Sequence, residues 1–158
     1  MAGTDEGVEM DAVAGLQAAL EREGVRGALR YLNLRTRHRY TGIYRFDPPM
    51  LRSVVLYDRE NPSLQAGSDT RIEQSYCSLV RDDERSVTIT DADGDPRVAA
   101  HPARARYQAY CGTPLRDGDG RCVGSLCHFD ARPRLVPESE LPLLARAAEL
   151  LGPYCATA

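Results

Sequence analysis

The most restrictive feature of the chain is a strand reversal within residues 107–130, YQAYCGTPLRDGDGRCVGSLCHFD. Two apolar runs flank Asp117-Gly118-Asp119-Gly120. Turns of this kind need backbone with φ > 0, which Gly supplies without steric cost and Asp tolerates. The pattern predicts a β-hairpin. If Asp117 pairs with Gly120, then Tyr110 faces Cys127, Cys111 faces Leu126 and Gly112 faces Ser125. Side chains alternate along a strand, so Cys111 and Cys127 are expected on opposite faces of the sheet. Cys111 and Cys122 share a face but lie roughly 13 Å apart at strand rise, which no disulfide spans. No disulfide is expected within the hairpin.

The remaining elements are ordered around this hairpin. Residues 1–10 are polar and acidic and read as a flexible tail, with one domain over 11–158. Val13, Leu16 and Leu20 space a helix from Asp11, its cap, to Gly24. A second helical segment follows over 25–35. Tyr40–Phe46 and Leu51–Tyr57 read as strands joined across Asp47-Pro48-Pro49-Met50. A polar loop over 61–70 leads to a short helix over 72–80 and a strand over 86–90. Asp91 and Asp93 then terminate that strand in a turn, and 97–106 form irregular cover. After the hairpin, 138–151 make an amphipathic helix, with Pro137 near its start and Gly152-Pro153 past its end. Strands bracketed by helices at both ends of the chain argue for an α+β domain, its terminal helices packed on one sheet face.

Composition narrows the function classes. A chain of 158 residues with 42% hydrophobic content suits one core. Its apolar runs are too short to span a bilayer, and no signal peptide opens it. A net charge of −3 gives no electrostatic case for nucleic acid. All 20 basic residues are Arg, which suits phosphate or carboxylate recognition and equally reflects base composition. Five cysteines without an export signal fit a reducing, cytoplasmic setting.

Several motifs together resemble the GAF domain family: Y-x-G-x-P-L, D-G-x-G and G-S-L-C-x-F-D in the hairpin, SYCSLV, SVTITDADGDPR, HPARARYQAYCGTPL and the closing ESELPLLARAAELL. They occur in the family's order over about 15–152. The resemblance implies an antiparallel sheet of five to six strands, terminal helices on one face and a ligand pocket on the other. Segments 59–84 and 91–106 are the implied roof. It further implies a small-molecule sensor. With no residues left for an output domain, the chain is expected to act alone or by docking to a signalling partner. Tyr44, Tyr76, Cys77, Asp91, His101, Tyr110 and Cys127 are the expected pocket residues, and Tyr44 and Phe46 share a face. Leu141, Leu144 and Leu150 are the expected surface of a homodimer.

No ligand or cofactor is selected by the residues. The family's bilin-binding members attach their chromophore through a Cys often followed by His. Here Cys127-His128 lies on the last strand rather than in a cover segment. Arg104 and Arg106 stand where a phosphate could be met, and His101 could serve as an axial haem ligand. Cys77, Cys111, Cys127, His101 and His128 show no C-x-x-C or H-x-x-x-H spacing, so no metal site is expected. Ser78 and Ser125 lack a G-x-S-x-G context. The enzymatic alternative is a free methionine sulfoxide reductase, which needs a nucleophilic and a resolving thiol. Cys77 matches a cysteine of that family, but the segment holding its essential cysteine reads His101-Pro102-Ala103-Arg104. The reading is therefore a non-catalytic sensor, with the reductase and a ligand-free interaction module as alternatives.

Overall fold

The computed structural model describes the backbone of residues 2–157 and the side chains of 10–155. The chain forms α1 (Ala2–Asn33), β1 (Tyr40–Asp47), β2 (Met50–Asp58), β3 (Thr70–Arg71), α2 (Cys77–Asp83), β4 (Val87–Ile89), β5 (Ala109–Arg116), β6 (Cys122–Asp130) and α3 (Glu140–Thr157). The six strands make one antiparallel sheet in the order β3-β2-β1-β6-β5-β4.

Strand alternation sorts the apolar side chains into two cores. On one face Ile43, Leu115, Leu126 and Cys111 meet Leu16, Leu29 and Leu32 of α1 and Leu144, Leu151 and Cys155 of α3. On the other, Tyr44, Leu51, Leu56, Tyr110, Cys127 and Phe129 meet Ile72, Tyr76, Cys77, Val80 and the cover residues Val98 and Ala103. The terminal helices thus share one face, as an α+β arrangement requires.

Four local expectations are corrected. α1 begins at Ala2, so its bounds take in residues assigned to a tail, and Asp11 lies inside the helix rather than capping it. The expected break between two helical segments is kept inside these bounds as a kink, where Gly24 takes φ 75°, a region other residues enter only with strain. α3 continues past Gly152-Pro153 to Thr157. Leu151 and Cys155 are buried against the sheet while Pro153 is exposed, so packing on one side holds the helix through a residue that weakens it. Leu144, expected on a dimer surface, faces the sheet and is buried, whereas Leu141 and Leu150 are half-buried.

The fourth correction is the hairpin register. Gly120 N–H donates to Asp117 O and Asp117 N–H donates to Arg121 O, each at 3.0 Å, with Gly120 at φ 82°. This is a three-residue loop closed by a left-handed glycine rather than a two-residue turn. A further irregularity falls between Leu115 and Arg116. Tyr110 consequently pairs with Phe129, Cys111 with His128 and Gly112 with Cys127. The shift from expectation is two residues, so every side chain keeps its expected face; Cys111 and Cys127 do lie in opposite cores.

A buried polar network fixes the end of α1 to the sheet. Asn33 Nδ2 donates to His38 O (3.0 Å) and Thr41 Oγ1 (2.9 Å), while Arg59 Nε donates to Asn33 Oδ1 (2.9 Å). Arg35 forks onto Glu140, with both bonds at 2.8 Å, tying the turn after α1 to α3. Asn33→Leu strands several buried partners at once and should cost about 3 kcal/mol in urea unfolding. A loss below about 1 kcal/mol would mean that water satisfies those groups.

Candidate functional site

Between the sheet and the segment that crosses it lies a cavity of about 290 Å³. β1 and β2 contribute Tyr40, Tyr44, Leu51, Leu56 and Asp58, and β5 and β6 contribute Tyr110, Cys127 and Phe129. Leu64, residues 67–70 and residues 74–77 form the opposite wall, with Arg106 and Tyr107 at one side. β3 hydrogen-bonds to the start of β2, and Gly67 N–H donates to Ser53 Oγ (2.8 Å). The roof is therefore laced to the edge of the sheet.

The walls are mainly aromatic. Tyr40 stacks on Phe129 at 4.7 Å, Tyr107 meets Phe129 edge-on at 5.1 Å, and Tyr76 leans on Tyr110 at 5.6 Å. Such rings offer flat apolar faces with hydroxyl tips. Tyr76 OH donates to Tyr107 O (2.9 Å), and burial pushes its phenol up to about 12. Burial likewise drives the Tyr44 and Tyr110 phenols well above their ordinary range, so all three stay neutral donors.

The floor carries a polar group of its own. Tyr110 OH lies 3.2 Å from Cys77 Sγ, to which it donates, and 3.0 Å from Ser125 Oγ. Cys77 and Cys127 line the same cavity and belong to the same buried cluster. Burial pushes the Cys77 thiol up, but hydrogen bonds with Cys127, Ser75, Tyr110 and Ser125 outweigh it and hold the thiol down at about 7. Cys127 moves the other way, raised by burial and by its neighbour Cys77.

Charge sits at the rim. Asp58 accepts from Arg39 Nε (2.8 Å) and Nη2 (3.0 Å). Burial raises its carboxyl, but these bonds and the Glu60 N–H prevail and keep it below its ordinary value. Asp69 accepts from Ser53 N–H (2.9 Å) and Arg52 (3.2 Å), which lower its carboxyl. Arg106 lies over the Tyr107 ring at 5.7 Å and has no ion pair among the described residues. It is the guanidinium available to an anionic group.

Five of the seven expected pocket residues line this cavity: Tyr44, Tyr76, Cys77, Tyr110 and Cys127. Asp91 and His101 do not. Asp91 is exposed beyond the end of β4. His101 accepts from Ala103 N–H at Nδ1 (3.1 Å), meets Ser78 Oγ at Nε2 (3.0 Å) and leans at a tilt on Tyr76 at 4.9 Å. Both its ring nitrogens are engaged, which leaves no free axial ligand. Of the implied roof, 59–84 covers the cavity, whereas 91–106 supplies only Arg106; Arg104 turns to Asp93 at 3.8 Å. The Cys127-His128 dipeptide is split across the sheet, Cys127 in the cavity and His128 bonded to Thr41 (2.6 Å) on the other side.

Phe129, Tyr107, Leu51, Leu56 and Asp58 escaped the sequence reading. Phe129 was within reach, because it follows Cys127 by two and must share its face. Leu56 pairs with Gly42, two residues before Tyr44, so strand pairing brings Leu56 and Tyr44 side by side on one face. No cluster of His, Cys, Asp and Glu among the described residues could hold a metal ion, and no helix among them is long and apolar enough to cross a membrane.

This architecture is that of a sensory module of the GAF type. The family model described as GAF domain matches residues 16–153, and the chain belongs to that family, whose members are generally sensory or regulatory domains. It is 29% identical over 111 residues to a cyclic di-GMP phosphodiesterase of Pseudomonas aeruginosa, covering 66% of this chain but only 19% of that protein. Among solved structures it is similar to the GAF domain of an Acinetobacter phosphoenolpyruvate-protein phosphotransferase, with a TM-score of 0.74 and 14% identity, covering 96% of this chain and 94% of that one. It is also similar to the free methionine-R-sulfoxide reductase of Neisseria meningitidis, solved with its substrate, with a TM-score of 0.70 and 17% identity, covering 92% and 87% of the two chains. At such identities the likeness establishes the fold alone.

Proposed function

We propose that the domain is a sensor that binds a compact small molecule between the aromatic walls of this cavity and signals by ordering its roof. The observation that carries this reading is the cavity itself: about 290 Å³ lined by six aromatic rings, with hydroxyl and thiol groups at its floor and one unpaired guanidinium at its side. Ligand sites combine such apolar walls with a few convergent polar groups, and this volume lies at the small end of their range. A planar metabolite carrying an acidic group fits these features better than a haem or bilin. A filled core, which a pure interaction module would have, is not what lies under the roof.

Arg26 of α1 supplies a route to the terminal helices. It donates to the carbonyls of Pro62 and Leu64, at 2.9 Å for Leu64, and Leu64 lines the cavity. Movement of the roof would be felt directly by α1, and a signalling partner docked on the helices would read it.

The test is a thermal-shift screen against compact metabolites, with Leu56→Trp as the blocked variant. A ligand at a hundredfold excess over its Kd adds about 2.7 kcal/mol to stability, a clear rise in Tm. Leu56→Trp, which projects an indole from the cavity wall, should stay folded and lose the shift. Undiminished binding to that variant would place the ligand elsewhere.

A second reading, a thiol-dependent reductase of the free methionine sulfoxide type, is favoured by one observation: Cys77 sits in the cavity with a lowered pKa beside a second thiol. The turn over Pro102–Ala105 offers no cysteine, which removes the residue that mechanism most needs. Consumption of free methionine sulfoxide in the presence of a thiol reductant would establish it, and inert protein would dismiss it.

A further inference from the structure

We propose that Cys77 and Cys127 form a peroxide-oxidisable dithiol, whose closure to a disulfide clamps α2 to the centre of the sheet. This inference needs no ligand in the cavity and stands or falls apart from the sensor reading.

The geometry is specific to this pair. Among the five free cysteines, Cys77 and Cys127 are the ones that line the cavity. They come from different elements, the first residue of α2 and the middle of β6, and both belong to the buried cluster beneath the cavity. The other thiols are separated from them by the sheet or by distance along it. Cys111 and Cys155 lie in the opposite core, and Cys122 is half-buried at the hairpin end of β6.

The surroundings divide the labour. Cys77 receives the Tyr110 hydroxyl at 3.2 Å, and Ser125 backs that hydroxyl at 3.0 Å. These donors stabilise a thiolate at Cys77, while burial keeps Cys127 protonated. One thiol is therefore the nucleophile and the other the resolving partner. Both residues are almost completely buried from bulk solvent, so the oxidant must enter through the cavity. A hydroperoxide is small enough to do so.

The reaction balances as follows. The Cys77 thiolate attacks the distal oxygen of a hydroperoxide; an S–O bond forms, the O–O bond breaks, and the departing oxygen leaves as water or alcohol after taking up a proton. Cys77 is then a sulfenic acid. The Cys127 sulfur attacks the Cys77 sulfur, the S–S bond forms, the S–O bond breaks, and hydroxide leaves with the Cys127 proton as water. Two thiols have lost two electrons and two protons to the peroxide. A small-molecule dithiol reverses the change.

The experiment treats fully reduced protein with one equivalent of hydrogen peroxide, alkylates the remaining thiols in denaturant and maps the peptides. We expect a monomer lighter by two hydrogens, a peptide pair joined through Cys77 and Cys127, and alkylated Cys111, Cys122 and Cys155. The Tyr110 hydroxyl donated to Cys77 favours its thiolate, a donor that Cys122 lacks. Cys77 should therefore be consumed about tenfold faster than the more exposed Cys122. Cys127→Ser should accumulate a sulfenic acid at Cys77 that dimedone traps, and Cys77→Ser should slow oxidation of Cys127 at least tenfold. First oxidation at Cys122, linkage between two chains, or a reduced Cys77–Cys127 pair after peroxide would overturn the proposal. The peptide map of the unaltered protein decides it even if a variant does not fold.

Discussion

Acidification from pH 7 to pH 4 should cost the folded domain on the order of 5 kcal/mol, well before its surface carboxylates are all neutral. The cause is a pair of imidazoles sealed against the end of α1. Burial depresses His38 to about 4 against a favourable Asp130, with Arg134 and Arg59 pushing the same way as burial. Burial, then His38 and Arg59, take His128 down to about 3. The rings stack at 5.6 Å. In the unfolded chain a histidine titrates near 6.5, so from that pH downward the unfolded state takes up protons that the native state refuses. Stability is whole above about pH 6.5 and drains away as the pH falls towards 4 and 3. Each pH unit in that window costs about 1.4 kcal/mol for each ring. Asp58 and Asp130, whose carboxyls are held low, add to the loss below about pH 4.

His38 isolates the effect. Both of its ring nitrogens are buried and lack hydrogen-bond partners among the described residues, so an apolar replacement strands nothing of its own. His38→Leu should be close to neutral at pH 7.5 and should flatten the acid limb by roughly half. Urea titrations at several pH values compare the two proteins directly. Parallel curves would show that His38 titrates alike in the folded and the unfolded chain.

Gly124→Ala should cost about 3 kcal/mol or more, a large loss for the addition of one methyl group. Gly124 lies in β6 between Arg45 of β1 and Leu115 of β5. A Cβ there would stand 2.1 Å from the Tyr44 carbonyl oxygen and 2.7 Å from Cys155 Sγ. The first is backbone and cannot rotate away, so β1 and β6 must part or α3 must lift. Gly118 provides the contrast, because a Cβ at that loop position meets nothing within 4 Å. Gly118→Ala should change stability by less than about 0.5 kcal/mol. Equal effects at the two positions would mean that the close approach of β1, β6 and α3 is not what Gly124 serves.

Much of this fold is legible because its signals are local. The alternation of Tyr110, Cys111, Leu126 and Cys127 sets which core each residue enters, and that survives a register wrong by two. Register itself was not legible, since Asp-Gly-Asp-Gly supports either a two-residue turn or a three-residue loop with Gly120 left-handed. The length of α3 also escaped, because Gly152-Pro153 is a local stop signal overridden by burial of Leu151 and Cys155. For the cavity, side chains on strands and at the start of α2 were placed well. His101 and Asp91 were not, because the path of the 91–106 cover depends on tertiary contacts such as that between Ser78 and His101. The meeting of Cys77 and Cys127 at one cavity spans fifty residues of chain and has no sequence signature.

The central claim is that the aromatic cavity, rather than the helical face, is where this GAF domain meets a small molecule. Protein-observed NMR with a set of compact aromatic acids tests it most directly. Binding fragments should shift signals of Tyr44, Tyr76, Arg106, Tyr110 and Phe129 together, and Leu56→Trp should abolish those shifts. Fragments that bind only along α1 and α3, or a set that leaves every cavity residue unmoved, would contradict the account.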